Sequence, residues 1–141
     1  MRINSRSKGA AGEREFAGVI DDHLGIRLIR NLEQSRSGGH DLVIHPDESG
    51  PVVDVIEKLA IEVKRYGKVT DGLLNGWWKQ AEAQAQAIGK VPALAYRGNR
   101  EAWRVVLPLS WIVPSVRDSG YQYTITMGID GFTTLIREVV I

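Results

Sequence analysis

The chain has 141 residues, 43% of them hydrophobic, which fits one ordinary domain able to bury about two thirds of its unfolded surface. Cysteine is absent, which excludes a disulfide framework, a thiolate zinc site and a thiol nucleophile; with only 3 histidines, an all-protein zinc centre is also disfavoured. The 18 basic and 17 acidic side chains leave a net charge of +1, so any basic surface must come from local clustering. No apolar run approaches the ~18 residues that cross a bilayer, and the polar N-terminus has no apolar segment behind it, so the expectation is a soluble cytoplasmic protein.

Residues 1–7 (MRINSRS) are polar with two arginines and read as a mobile arm. From Lys8 to Leu24 the spacing is helical, with Phe16, Ile20 and Leu24 in one stripe and Gly25 suited to an αL stop. Ile26 to Arg30 alternates like a half-buried strand; the turn SRSGG (35–39) follows, then a short strand from Asp41 to Ile44. Residues 45–55, with Pro, Gly and acids, read as a surface loop or hairpin tip. Lys58 to Lys64 (KLAIEVK) reads as a third strand. Leu74, Trp77, Trp78, Ala81, Ala85 and Ile88 share one face of a helix over 71–88 that Gly89 ends. Strands follow at Pro92–Tyr96 and Trp103–Leu107 around a Gly98-Asn99 turn. Tyr121–Thr126 reads as a strand, and the apolar residues from Phe132 to Val140 fit a closing helix. The order is that of an α/β sheet with helices packed against it.

Three acids stand out. Glu62 and Lys64 are two apart on a strand, so they share a face while Ile61 and Val63 point into the core. A cross-paired surface couple accounts for the same triplet. Asp41 opens a strand directly after Gly38-Gly39, where a sheet edge delivers a side chain to a cleft; it is equally a common turn residue. Glu13 precedes Phe16, Ile20 and Leu24 by three, seven and eleven residues and so lies on their apolar stripe. A carboxylate aimed at a sheet is costly unless it is paired or binds a cation, although a first-turn acid is also favoured by the helix dipole. Three converging carboxylates and a lysine suit a hard divalent cation and a water nucleophile.

A helical Glu, then G-x-D, then E-V-K, then an amphipathic helix resembles the PD-(D/E)XK nucleases, and within them the archaeal-type Holliday-junction resolvases. The resemblance runs from Ser7 to about Leu107 and includes SKGAAGEREF, SRSGGHDLVI, LAIEVK and IGKVPALAYRGNREAWRVV. It implies a restriction-endonuclease-like fold, a central mixed sheet flanked by helices. It also implies a phosphodiesterase dependent on Mg²⁺ or Mn²⁺. Asp41 and Glu62 would hold the metal, the Val63 carbonyl would add a ligand, Glu13 would complete the site, and Lys64 would act on the water. Gln80 matches a helical glutamine of some nucleases of this fold and is counted as an auxiliary catalytic residue. Two departures stand out: His40 replaces the proline of the motif, and Glu62 follows Asp41 by 21 positions (62 − 41), which predicts an extended hairpin at 45–57. The last ~30 residues, about 108–141, have no counterpart in the resemblance and form a C-terminal extension.

Basic clusters flank these acids: Arg2, Arg6, Lys8 and Arg14; Arg27, Arg30 and Arg36; Lys64, Arg65 and Lys68. Phosphate contacts are what such clusters supply, and Ser35 and Ser37 add hydroxyl donors; a solvated face or plain turn residues explain them as well. Trp77 and Trp78 lie on the apolar stripe and read as core, and His23, His40 and His45 as structural or surface residues. The sequence therefore reads as a structure-selective DNA endonuclease resolving four-way junctions as a homodimer, in a prokaryotic, archaeal or phage-infected cytoplasm. Two alternatives stand beside it. One is a nuclease of the same fold acting on flap, nicked or duplex DNA. The other is a DNA-binding module without chemistry.

Overall fold

Six strands lie side by side in chain order in a computed structural model that describes residues 5–32 and 40–139. The elements are α1 (Ser5–Leu24), β1 (Leu28–Arg30), β2 (Leu42–Ile44), α2 (Pro51–Ile56), β3 (Leu59–Arg65), α3 (Asp71–Ala87), β4 (Val91–Arg97), β5 (Arg104–Pro108), α4 (Leu109–Ile112), a 3₁₀ turn (Tyr121–Tyr123), β6 (Thr124–Gly128) and α5 (Ile129–Val139). Only β3 and β4 run parallel, with α3 as their crossover; every other neighbouring pair is antiparallel. The sheet is therefore mixed, as expected of a restriction-endonuclease-like fold.

Strand alternation divides the core in two. Leu59, Ile61 and Val63 of β3, with Ala93, Ala95, Val105 and Leu107 from its neighbours, face α1, α2 and α5. Leu94, Tyr96 and Val106 face α3, where Leu74, Trp77, Trp78 and Ala81 cover them. The tryptophan pair is core, as its stripe predicts. Helix α3 opens on Thr70, whose hydroxyl accepts from the Leu73 N–H at 3.3 Å and so satisfies one of the otherwise unpaired first-turn donors.

Several readings of the sequence are corrected. Helix α1 starts at Ser5, so residues 5–7 are helical rather than part of an arm. The loop or hairpin expected at 45–57 instead contains α2: Pro51 sits in its first turn, where its fixed φ suits a helix, and Val53, Val55 and Ile56 are buried against the core. Burial of that apolar run prevails over the Pro/Gly/acid signal before it. The C-terminal residues hold the strand and closing helix read from the sequence: β6 pairs with β5, and α5 buries Phe132 and Ile136. No helix among the described residues is long and apolar enough to cross a membrane.

Candidate active site

The centre of the sheet delivers two acids to one place. Asp41 stands just before β2; its N–H donates to Ile61 O and its carbonyl accepts from the Asn31 N–H, both at 2.8 Å, which fixes it between β1 and β3. Its Oδ2 accepts from the Val63 N–H at 2.7 Å. The amide and carbonyl of one strand residue project to the same edge, so the Val63 carbonyl also lies on the Asp41 side of β3. Glu62 is buried, 3% exposed, on the α3 face, and its side chain hydrogen-bonds that of Asp41. Lys64 follows at the next position on that face and is half-buried.

The electrostatics are set by two acids buried side by side. Glu62 Oε1 is buried without a hydrogen-bond partner. Burial first, and then the neighbouring Asp41 charge, push its carboxyl up to about 8; the Lys64 ammonium opposes this, while the hydrogen bond with Asp41 and the charge of Glu13 add to it. Next to Asp41, His40 is held below the usual imidazole range by its burial and by Lys90, and its Nδ1 is buried without a partner.

Glu13 has a partner within the fold. Its carboxylate is buried, as the stripe on α1 predicts, but Oε2 accepts from Arg30 Nε of β1 at 2.9 Å. Among the described residues no group of three or more His, Asp or Glu side chains is placed to hold a metal ion. Glu13 still acts on the pair, since its charge adds to the rise of the Glu62 carboxyl, while its own Oε2 is held by the Arg30 guanidinium. Gln80 is exposed on α3, the helix that covers the Glu62 face of the sheet. One turn on, Gln84 is half-buried and its Oε1 is buried without a partner.

Of the basic candidates, Arg14 and Lys68 are exposed, and Arg30 serves Glu13. Arg65 donates from Nη1 to Tyr66 O and to Asn99 Oδ1, both at 2.9 Å. Arg2, Ser35, Arg36 and Ser37 lie outside the described residues, as do the side chains of Arg6 and Lys8. Arg104 was missed from the sequence: the pairing register aligns Lys64, Tyr96 and Arg104 across β3, β4 and β5. Its signal is visible only once the strands are in register.

A family model described as "Phage putative PDDEXK endonuclease" matches residues 4–138. Protein D14 of Escherichia phage T5 is 27% identical over 123 residues, covering 78% of this chain and 74% of that protein. The solved structure of Archaeoglobus fulgidus Hjc, a Holliday junction resolvase from an archaeal hyperthermophile, overlays with a TM-score of 0.46 and 21% identity, covering 95% of this chain and 96% of that one.

Proposed function

This chain belongs to the phage PDDEXK endonuclease family, and from that premise we propose that it cuts branched DNA, four-way junctions above all, as a homodimer dependent on Mg²⁺ or Mn²⁺. One observation carries the metal reading: the buried, unpartnered Oε1 of Glu62 beside Asp41. A cation against this pair supplies the missing partner and relieves the repulsion that raises the Glu62 carboxyl. Asp41, Glu62 and the Val63 carbonyl would hold it, an all-oxygen set that suits a hard ion. When bound, such an ion polarises a phosphate oxygen and lowers the pKa of a coordinated water.

The chain's own residues supply the rest. Lys64 projects on the Glu62 face and presents its ammonium to the attacking water and the scissile phosphate. Arg30, whose side chain is 38% exposed, holds Glu13 in the DNA-free protein and exchanges it for a DNA phosphate, which leaves Glu13 to complete the acid set. The exposed Arg14, Lys68 and Arg104 extend the phosphate contacts outward.

The junction reading follows the likeness of SKGAAGEREF, SRSGGHDLVI and LAIEVK to resolvases. A second copy of the chain is favoured by β6, an edge strand whose segment Thr124–Gly128 carries neither charge nor proline to discourage pairing. Two opposed nicks across a junction need the two-fold symmetry a dimer provides.

A single gel tests the reading. A labelled four-way junction should be cut with Mg²⁺ into paired nicked products and a linear duplex should not, by a species near twice 15.6 kDa in solution. Asp41→Asn should abolish cutting while binding the junction as tightly or more tightly. Cleavage by Asp41→Asn at the unsubstituted rate would overturn the site; equal cutting of duplex would move the substrate to the flap, nick or duplex class.

A further inference from the structure

Tyr66 comes directly after β3 and is held on both sides. Its N–H donates to Arg97 O at 3.1 Å, continuing the β3–β4 ladder, and its carbonyl accepts from Arg65 Nη1 at 2.9 Å. The next residue is fixed as well, with Gly67 O accepting from the Asn99 N–H at 3.0 Å. The period of two puts Tyr66 on the face of Glu62 and Lys64. Its ring lies 4.7 Å from that of Trp77 on α3, tilted by 58°. Same-face positions along a strand are about 6.6 Å apart, so a carboxylate, an ammonium and an aromatic ring form one line leading out of the acid pair.

The packing does not account for this tyrosine. Trp77 beneath it is already 7% exposed, yet Tyr66 is left 43% exposed. A ring fixed by its own backbone and propped by a second ring, but still open on its outer side, is a preformed stacking surface with little ordering cost. Cationic residues lie near it: Lys64 shares its face of β3, Lys68 follows in the chain, and Arg104 lies two strands over in the Lys64 row.

We propose that Tyr66 is a stacking platform for an unstacked nucleobase next to the phosphate that is cut. The inference rests on the proposed placement of that phosphate at Glu62 and Lys64, and it names what selects the substrate there. A base lies one sugar away from its phosphate, the scale of the Lys64–Tyr66 spacing. In linear duplex that base is paired and stacked within the helix. At a branch, where continuous stacking of the helix is interrupted, unstacking it costs less, so stacking on Tyr66 rewards branched DNA over plain duplex.

The test uses the full chain and a four-way junction carrying 2-aminopurine, whose fluorescence falls on stacking, at each position flanking the mapped cut. Binding is measured in Glu62→Gln protein so that the DNA stays whole. We expect fluorescence to fall at one of these positions, and Tyr66→Leu to lose most of that quenching while Tyr66→Phe keeps it. In otherwise unsubstituted protein, Tyr66→Leu should lower the junction-over-duplex ratio of kcat/KM by about 5- to 150-fold, the range that aromatic stacking of one base contributes, and Tyr66→Phe should restore it. No quenching at any flanking position overturns the proposal, and so does a folded Tyr66→Leu that quenches and discriminates normally. Should Tyr66→Leu not fold, the presence or absence of quenching with Tyr66 in place decides. If no DNA is cut with Mg²⁺, the nuclease reading fails by itself, whereas quenching in the uncut complex still judges Tyr66.

Discussion

Glu13 and Glu62 are both buried carboxylates, 6% and 3% exposed, yet they sit in opposite circumstances. Glu13 has a guanidinium 2.9 Å away; Glu62 faces a second acid and leaves one oxygen with no partner. Burial alone is therefore a poor sign of a metal site, because a counter-charge from the fold can satisfy it. A deficit is the better sign: a buried carboxylate that faces a second acid and keeps an unpartnered oxygen is one that a cation from outside would complete.

The largest effect expected from this contrast is catalytic. Glu62→Gln should lower Mg²⁺-dependent cleavage by about 10³-fold or more, since a metal supplies several kcal/mol of transition-state stabilisation. The same change should hold or raise the melting temperature of the metal-free protein above about pH 8, because an amide can donate to Asp41 where the ionised carboxylate repels it. Glu13→Gln should shift melting the other way, by about 1 kcal/mol, as Arg30 loses its carboxylate but remains partly solvated. Melting and cleavage of the two variants decide it; shifts of the same sign in both would remove the distinction between the two acids.

A smaller and more gradual effect is the dependence of stability on pH. The Glu62 carboxyl titrates near 4.5 in the unfolded chain and about 8 in the folded one. Between those values the folded state binds the extra proton, so stability falls as pH rises through this window, by a few kcal/mol, and levels off above about 8. Below about 4.5 both states are protonated and Glu62 contributes no slope. A divalent cation favours the ionised pair, so saturating Mg²⁺ should flatten the slope. Denaturation midpoints at several pH values, with and without Mg²⁺ and compared with Glu62→Gln, measure this; an unchanged slope in Glu62→Gln would assign the dependence to other groups.

Much of this contrast was legible in the sequence, through local periodicity. The strand period puts Glu62 and Lys64 on one face, and the helical stripe puts Glu13 against the sheet. Arg30 as the partner of Glu13 was not legible, because the contact spans 17 positions and depends on where β1 lies beside α1. The length of the Asp41–Glu62 interval is plain in the sequence, but its content is not: VVDVI after Pro51 is too short for a clear helical period, and only burial by the core makes it α2. Gln80, at the edge of a stripe, is placed by one helical rotation, and the structure leaves it exposed on α3.

The smallest expected effect concerns how α1 carries Glu13 past β3. A Cβ added at Gly12 would meet Arg65 Cβ at 2.7 Å, a contact that a shift of helix or strand must relieve, since the obstructing atom is at the base of the side chain. At Gly18 of the same helix a Cβ would meet nothing within 4 Å. Alanine is favoured over glycine in a helix interior by roughly 1 kcal/mol, so Gly18→Ala should stabilise by close to that amount. At Gly12 the same propensity gain opposes an overpacking cost of about 1–3 kcal/mol, so the net change should lie between zero and a loss of about 2 kcal/mol. Because Gly12 precedes Glu13, the displacement should also weaken cleavage without weakening the Asp41–Glu62 pair. Paired melting curves provide the measurement. If Gly12→Ala stabilises as much as Gly18→Ala and cuts DNA at the unsubstituted rate, close approach of α1 to β3 does not position Glu13, and its burial is a matter of packing alone.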